Sequence, residues 1–224
     1  MNGEVTAVIE DYLKVIYRLQ EKSGVARTSD IVELLQVAPG TVTNTVDRLE
    51  KGGLVTHEPY KGVKLTEEGR KIALRVMRRH RLLERLLTDI LHVNWSEAHT
   101  AACRLEHGIT SNITKNLEKA LGHPRTCPHG NPIPTECGGI VEEESQPLTE
   151  LDEKERGTIA KITEEKPDFL CYLDTIGLAP GASIEVLKKA PFDGPITLKV
   201  GGVSHALGHA MASIIQVKRT SRRS

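Results

Sequence analysis

Apolar residues recur at a helical period through the first 120 residues and at a strand period through the last 70 or so. Val5, Val8, Ile9, Tyr12, Leu13, Ile16, Tyr17 and Leu19 share one face at about 100° per residue, so Val5–Leu19 reads as an amphipathic helix. A second helix starts at Thr28 or Ser29 as N-cap and runs through Asp30-Ile31-Val32-Glu33-Leu34-Leu35. Val37-Ala38-Pro39-Gly40 is expected to break it. A third, Thr41–Lys51, carries Val42, Val46 and Leu49 inward and stops at Gly52-Gly53. Leu54–Glu58, a turn at Tyr60-Lys61-Gly62 and Val63-Lys64-Leu65 read as a short hairpin. Helix, helix, turn, helix, hairpin is the order of a winged helix-turn-helix.

Thr66-Glu67-Glu68 caps a long helix expected to reach Leu91. Ser96-Glu97 opens another to about His107, and Ile109–Leu121 forms the next. Leu82, Leu83, Leu86, Leu87, Ile90 and Leu91 are more apolar surface than these helices can bury, so this region is expected to pair with a second copy. Between Gly122 and Leu148 Pro, Gly and acidic residues mark a connection. The period then changes. Arg156–Thr163, Ser183–Leu187, Ile196–Val200 and Ile214–Lys218 are short β-rich runs divided by Leu178-Ala179-Pro180-Gly181 and Asp193-Gly194-Pro195, the pattern of a small β-barrel. The expected class is α+β: a winged helix-turn-helix at 1–73, a helical dimerisation and metal-binding domain at 74–142, a linker at 143–152 and a barrel at 153–224.

Composition narrows the function. The chain has 224 residues, 38% hydrophobic and 27% charged, and no apolar run near the ~20 residues that span a bilayer. Met1–Ile9 lacks the basic start of a signal peptide, so a cytoplasmic location without membrane association is expected. The 4 cysteines do not make a disulfide framework. Net charge is zero, but the charges are segregated: Arg70, Lys71, Arg75, Arg78, Arg79, Arg81 and Arg85 crowd one helix, Glu142–Glu144 and Glu150–Glu155 are acidic, and Lys218–Arg223 is basic again. Aromatic content of 3% disfavours stacking on single strands, and duplex recognition by a helix has no such need.

In a helix-turn-helix the N-terminal residues of the second helix face base edges. Here these are Ala38, Pro39, Gly40, Thr41, Thr43 and Asn44; Asn44 can pair with adenine and the small residues can meet a thymine methyl. Arg27, Thr41, Arg48, Lys61 and Lys64 suit phosphate contacts, which position without specifying sequence. On the later helix His99, Cys103, Glu106 and His107 fall within an arc of roughly 100°. His80 and Glu84 form an i, i+4 pair on the helix before it. Thiolate, carboxylate and imidazole together suit Fe²⁺, Co²⁺, Ni²⁺ or Zn²⁺ better than Mg²⁺ or Ca²⁺. Cys127-Pro128-His129 with Cys137 has zinc-ligand residue types without a finger's spacing, and reads better as a proline-rich loop. Gly201-Gly202 with His205 and His209 reads as a turn and surface. Neither a nucleophile motif nor a phosphate loop stands out, so a regulator is expected rather than an enzyme, a metal-dependent hydrolase being the alternative from another class.

Met77-Arg78-Arg79-His80-Arg81-Leu82-Leu83-Glu84-Arg85-Leu86-Leu87, then His99 with Ala102-Cys103-Arg104-Leu105-Glu106-His107, then Gly130-Asn131-Pro132-Ile133-Pro134, resemble the diphtheria toxin repressor / iron-dependent regulator family of metal-dependent transcriptional repressors. Leu173–Val200 is similar to the src-homology-3-like domain shared with ferrous-iron transport accessory proteins. The resemblance implies two metal sites. An ancillary site would use His80, Glu84 and His99 with Glu165 and Asp168 from the barrel. A regulatory site would use Cys103, Glu106 and His107 with Asp11 from the first helix. Iron-responsive members have methionine at the Asp11 position and manganese-responsive members aspartate; Cys103 matches the iron branch, and Lys14 stands where the manganese branch has an acid. The resemblance implies Fe²⁺, with Mn²⁺ as the alternative and Co²⁺, Ni²⁺ or Zn²⁺ as substitutes in vitro. It also implies a homodimer on an inverted-repeat operator in double-stranded DNA, with no small organic ligand. Metal joining Asp11 to the dimerisation domain would fix the spacing of the recognition helices.

Overall fold

A computed structural model of the chain describes residues 5–58 and 61–220. Tyr60 of the expected turn and Arg222 and Arg223 of the basic tail lie outside the described residues. The chain divides into two compact units. The first comprises Met1–Arg79, Glu106–Ile109 and Pro134–Gly139; the second comprises His80–Leu105, Thr110–Ile133 and Ile140–Ser224.

In the first unit, helix α1 (Ala7–Ser23) is capped by Thr6 and closed by Gly24 in the left-handed conformation. It buries Tyr12, Leu13, Ile16 and Tyr17, whereas Val5 and Val8 are exposed and lie outside its apolar face. Helices α2 (Thr28–Leu35) and α3 (Pro39–Lys51) follow, packed through Ile31, Val42, Val46 and Leu49. Helix α2 ends at Leu35, ahead of Val37-Ala38-Pro39-Gly40 as expected, but α3 starts two residues earlier than Thr41, with Pro39 and Gly40 in its first turn. Proline has no N–H to leave unpaired at that position, and its φ is already helical. Strands β1 (Val55–Glu58) and β2 (Gly62–Leu65) pair antiparallel, with Val55 opposite Leu65. Ala26 bridges to Val63, which adds the segment before α2 to the hairpin. Gly62, at φ +110°, permits this, since a Cβ there would lie 2.7 Å from the Ala26 carbonyl oxygen. Helix α4 (Glu67–Arg85) then begins at Thr66, whose hydroxyl accepts from Gly69 N at 3.2 Å. The order α1-α2-α3-β1-β2 is a winged helix-turn-helix.

In the second unit a π-helical turn, Leu86–Ile90, precedes α5 (Trp95–Leu105) and α6 (Ser111–Ala120). Of the side chains expected to exceed what these helices can bury, Leu82, Leu83 and Leu87 are buried within the chain itself. Between Leu86 and Ala120 the large apolar side chains left exposed are Ile90, Leu91, Leu105 and Ile113. Helix α5 stops at Leu105 and does not reach His107; Glu106–Gly108 is a 3₁₀ turn.

The C-terminal part is one antiparallel sheet in the order β3-β8-β4-β5-β6-β7, built from β3 (Gln146–Pro147), β4 (Arg156–Ile162), β5 (Ser183–Lys189), β6 (Ile196–Val200), β7 (Val203–Leu207) and β8 (Ile215–Arg219). Bulges interrupt β4 against β8 and β5 against β6, as strong curvature requires. Two short helices, α7 (Pro167–Thr175) and α8 (His209–Ser213), complete it. The expected linker at 143–152 is corrected: β3 lies in it, and Leu148 and Leu151 are fully buried in the core with Ile159, Ile162, Leu170 and Leu173. Their leucines outweigh the Pro- and acid-rich surroundings. Strand β7 has only Leu207 buried, so it lacks the alternation that marks the other strands.

Candidate metal centre

Two separate clusters of metal-ligand side chains form, one in each unit. The larger lies in the second unit. His80 and Glu84 stand one turn apart on α4 and are 1% and 0% exposed. His80 Nε2 lies 2.9 Å from Glu84 Oε1 and 3.0 Å from His99 Nδ1 on α5. Glu165, just before α7, brings Oε2 to 3.5 Å from His99 Nδ1. These four side chains place one ligand atom each within 4.8 Å of one another.

A second group in the same place shares both carboxylates: Glu84, Cys127, His129 and Glu165, all buried. His129 Nε2 donates to the Trp95 carbonyl at 2.9 Å, and its Nδ1 lies 3.4 Å from Glu84 Oε1 and 3.8 Å from Cys127 Sγ. Asn131 donates to both Glu165 Oε1 and the Ile162 carbonyl at 2.9 Å and so holds the loop against β4. Gly130 allows this approach, because a Cβ there would stand 2.0 Å from the Ala160 oxygen. Cys127 and His129 thus belong to a ligand cluster, where the sequence favoured a plain loop. The signal is the Cys-x-His pair followed by Gly-Asn; the acids that complete it are remote in sequence. Cys137 is exposed and belongs to the first unit. Asp168, expected beside Glu165, is exposed in the first turn of α7 and is in neither group.

Electrostatics support a cation here. Glu84 is fully buried, which opposes its charge, yet the surrounding His80, His129 and His99 hold its carboxyl well below the usual range. Its Oε2 has no hydrogen-bond partner, an unusual cost for a buried carboxylate oxygen that a metal ion would relieve. Cys103 joins this cluster, its Sγ 3.8 Å from His99 Nε2. Burial opposes both charges, but the His80 and His99 imidazoles bring the Cys103 thiol down to about 6, and Cys103, Glu84 and Glu165 raise His99 to about 9.

Between pH 6 and 9 the ion-free cluster therefore holds a thiolate beside an imidazolium. The raised His99 contributes stability below its unfolded value that is lost as pH climbs through about 9; the depressed Cys103 contributes stability that is lost as pH falls through about 6. A divalent ion that uses His99 must displace its proton. Binding at this cluster should release about one proton near neutrality and tighten up to about tenfold per pH unit below 9. Calorimetry in buffers of different ionisation enthalpy counts that proton; a count of zero would remove His99 from the ligand set.

The other cluster is in the first unit. Asp11 on α1 meets Glu106 and His107 on the 3₁₀ turn, with ligand atoms within 4.8 Å. His107 Nε2 is 3.2 Å from Asp11 Oδ1 and 3.4 Å from Glu106 Oε1. On its other side Nδ1 lies 2.7 Å from Glu10 Oε2, and Glu10 is held by Arg79 at 2.6 Å. A carboxylate on Nδ1 fixes the ring so that Nε2 points at Asp11. Glu10 and Arg79 are positioning residues that no spacing rule singles out. The arc expected to unite His99, Cys103, Glu106 and His107 does not hold one cluster: α5 ends at Leu105, and Glu106 and His107 follow on a 3₁₀ turn. His99 and Cys103 serve the cluster of the second unit; Glu106 and His107 serve that of the first.

The expected DNA-facing residues form one exposed surface. Ala38, Pro39, Gly40, Thr41, Thr43, Asn44 and Arg48 are all exposed on α3, while Val42, Thr45, Val46 and Leu49 point inward. Arg27 and Lys64 are exposed too. Lys61 is exposed and lies 2.6 Å from Glu58.

The iron dependent repressor N-terminal DNA binding domain matches residues 4–63. The iron dependent repressor metal binding and dimerisation domain matches residues 66–135, and the FeoA domain matches residues 146–219. The chain is 34% identical over 233 residues to the iron-dependent repressor IdeR of Mycobacterium tuberculosis, covering 97% of this chain and 99% of that one. It is 34% identical over 222 residues to the diphtheria toxin repressor of Corynebacterium diphtheriae, covering 93% and 96%. Among solved structures, a manganese-dependent transcriptional repressor in complex with manganese superposes with a TM-score of 0.84 at 32% identity, over 95% of this chain and 100% of that one. Sequence, domain order and three-dimensional structure agree, and the chain belongs to the iron dependent repressor family.

Proposed function

We propose that this protein is a metal-activated transcriptional repressor that binds double-stranded DNA as a homodimer. The observation that carries the reading is the Asp11, Glu106 and His107 cluster. It joins α1 of the winged helix-turn-helix to the turn that follows α5 directly along the chain. These three residues would hold the ion, and the ion would supply a positive centre that the two carboxylates and one imidazole share. Asp11 then ties the DNA-binding helices to one orientation about that turn. In a dimer paired through the exposed Ile90, Leu91, Leu105 and Ile113, this fixes the separation of the two α3 helices, which must be about 34 Å or a multiple to enter successive major grooves. Metal and DNA then tighten each other's binding by the same factor. Glu84, Glu165, His80, His99, Cys127 and His129 would hold further metal within the second unit.

Fe²⁺ is the proposed activator. Mn²⁺ is the second reading, and one observation favours it: the Asp11 cluster contains only oxygen and nitrogen donors, with Cys103 placed beside His80 and His99. The test is an anaerobic titration of protein on DNA selected from a random pool, with Fe²⁺ and Mn²⁺ in parallel and a chelator as control. Inverted repeats should emerge, and the chelator should release them. Arg27→Ala should weaken all sequences alike and reduce the salt slope by about 1. Asn44→Ala should cost about 1–3 kcal/mol at particular bases only. Equal binding with ion and with chelator would overturn the reading.

A further inference from the structure

Lys14 is 7% exposed, on the same face of α1 as Asp11 and one turn after it. Its Nζ donates to Glu106 Oε1, on a carboxylate that is fully buried, and stands 3.6 Å from Asp11 Oδ1. Glu106 Oε1 also lies 3.4 Å from His107 Nε2, beside Asp11 Oδ1 at 3.2 Å. The ammonium therefore sits on two of the three groups that would bind the ion. Burying an ammonium and a carboxylate is costly unless they pair, and here each supplies the other's counter-charge.

We propose that Lys14 is a built-in competitor at this cluster: without metal its ammonium clamps Glu106 to α1, and a divalent ion binds only by displacing it. The proposal rests on the reading of Asp11, Glu106 and His107 as a metal site. Its consequences are opposite in sign for the two states. With no ion, Lys14 neutralises Glu106 and holds the 3₁₀ turn to α1. With an ion, it contributes a repelling positive charge and competes for an oxygen donor. The residue thus sets the ion concentration at which the site fills, and keeps the site closed to cations that cannot displace an ammonium from Glu106.

Titration of the full chain with Co²⁺, followed by visible absorption, tests this with Lys14→Met, Lys14→Arg and His107→Ala. The binding component that His107→Ala removes defines the cluster. In Lys14→Met that component should tighten by about tenfold or more, because one nearby positive charge and one competing bond are gone. Lys14→Arg keeps the charge and should stay near the parent. Thermal melting without ion should show Lys14→Met less stable than the parent, and the added ion should raise its melting temperature more. If Lys14→Met does not fold without ion, Lys14→Gln, which retains a donor for Glu106, should show the same tightening. Unchanged affinity in a folded neutral variant overturns the proposal and leaves the metal-site reading intact. If His107→Ala removes no binding component, the metal-site reading falls and the proposal falls with it.

Discussion

His107→Ala should lose metal-dependent DNA binding while the protein stays folded. The ring is 20% exposed at the side chain and fills no core position, so its removal leaves the packing of Leu13, Ile16 and Val46 untouched. What it removes is the only nitrogen donor of the Asp11 cluster. Loss of an outer partner that merely orients a ligand costs roughly 10–100-fold in metal affinity, and loss of a ligand should exceed that. Glu10→Gln, which alters the hydrogen bond on Nδ1, should fall inside that range. His99→Ala disturbs the other cluster and should shift the ion requirement less. Cys103→Ala reports which cluster the thiolate serves: a defect like that of His107→Ala assigns it to regulation, and a defect like that of His99→Ala assigns it to the second unit. Fluorescence anisotropy on labelled DNA at limiting ion measures all four, with circular dichroism as the control for folding. A His107→Ala protein that binds like its parent would separate DNA binding from this site.

Glu84→Gln should abolish the metal-induced stabilisation of the second unit. Glu84 Oε1 is the common neighbour of His80, His99 and His129, at 2.9, 3.1 and 3.4 Å. The substitution keeps the shape and deletes the charge, so both overlapping ligand groups lose one of their two shared carboxylates, the one in contact with all three histidines. An ion at about 100 times its dissociation constant stabilises a folded protein by roughly 2.7 kcal/mol, and that increment should disappear. The thiolate-to-Co²⁺ charge-transfer band should go with it, since Cys103 and Cys127 both lie in groups that meet at this carboxylate and its histidines. The same variant should leave the His107-dependent component in place. A melting temperature that still rises with ion would show that the buried carboxylate is structural.

The candidate residues are partly legible in the sequence because metal ligands are chemically unusual where they stand. His80 and Glu84 on one helical face, and His99 with Cys103 four residues later, are spacings a helix turns into contacts. Glu165 is reached only through family resemblance, since a lone acid before a short helix carries no signal of its own. Its neighbour Asp168 is reached the same way and lies outside the cluster. Cys127 and His129 are visible as residue types but not as a site, because the carboxylates that complete them, Glu84 and Glu165, stand far along the chain on either side. Lys14 is legible as a departure from the pattern of the manganese branch; that it sits on Glu106 is a property of the fold.

The local sequence by itself determined the elements whose information is local. The apolar stripe of α1, the Thr66 cap, and the alternation of β4, β5 and β6 each follow from side-chain period and short-range hydrogen bonds, so their order and the winged helix-turn-helix are readable. Tertiary structure decided what depends on packing between distant segments. It drew Gln146–Leu151 into the barrel because Leu148 and Leu151 bury completely there. It buried Leu82, Leu83 and Leu87 inside one chain. It ended α5 at Leu105, and packing around that turn placed Cys103 beside His80 and His99, and Glu106 with His107 beside Asp11. Helical period is set within a few residues, but the partner that each face meets is chosen by the whole chain, and the metal chemistry here resides in those partners.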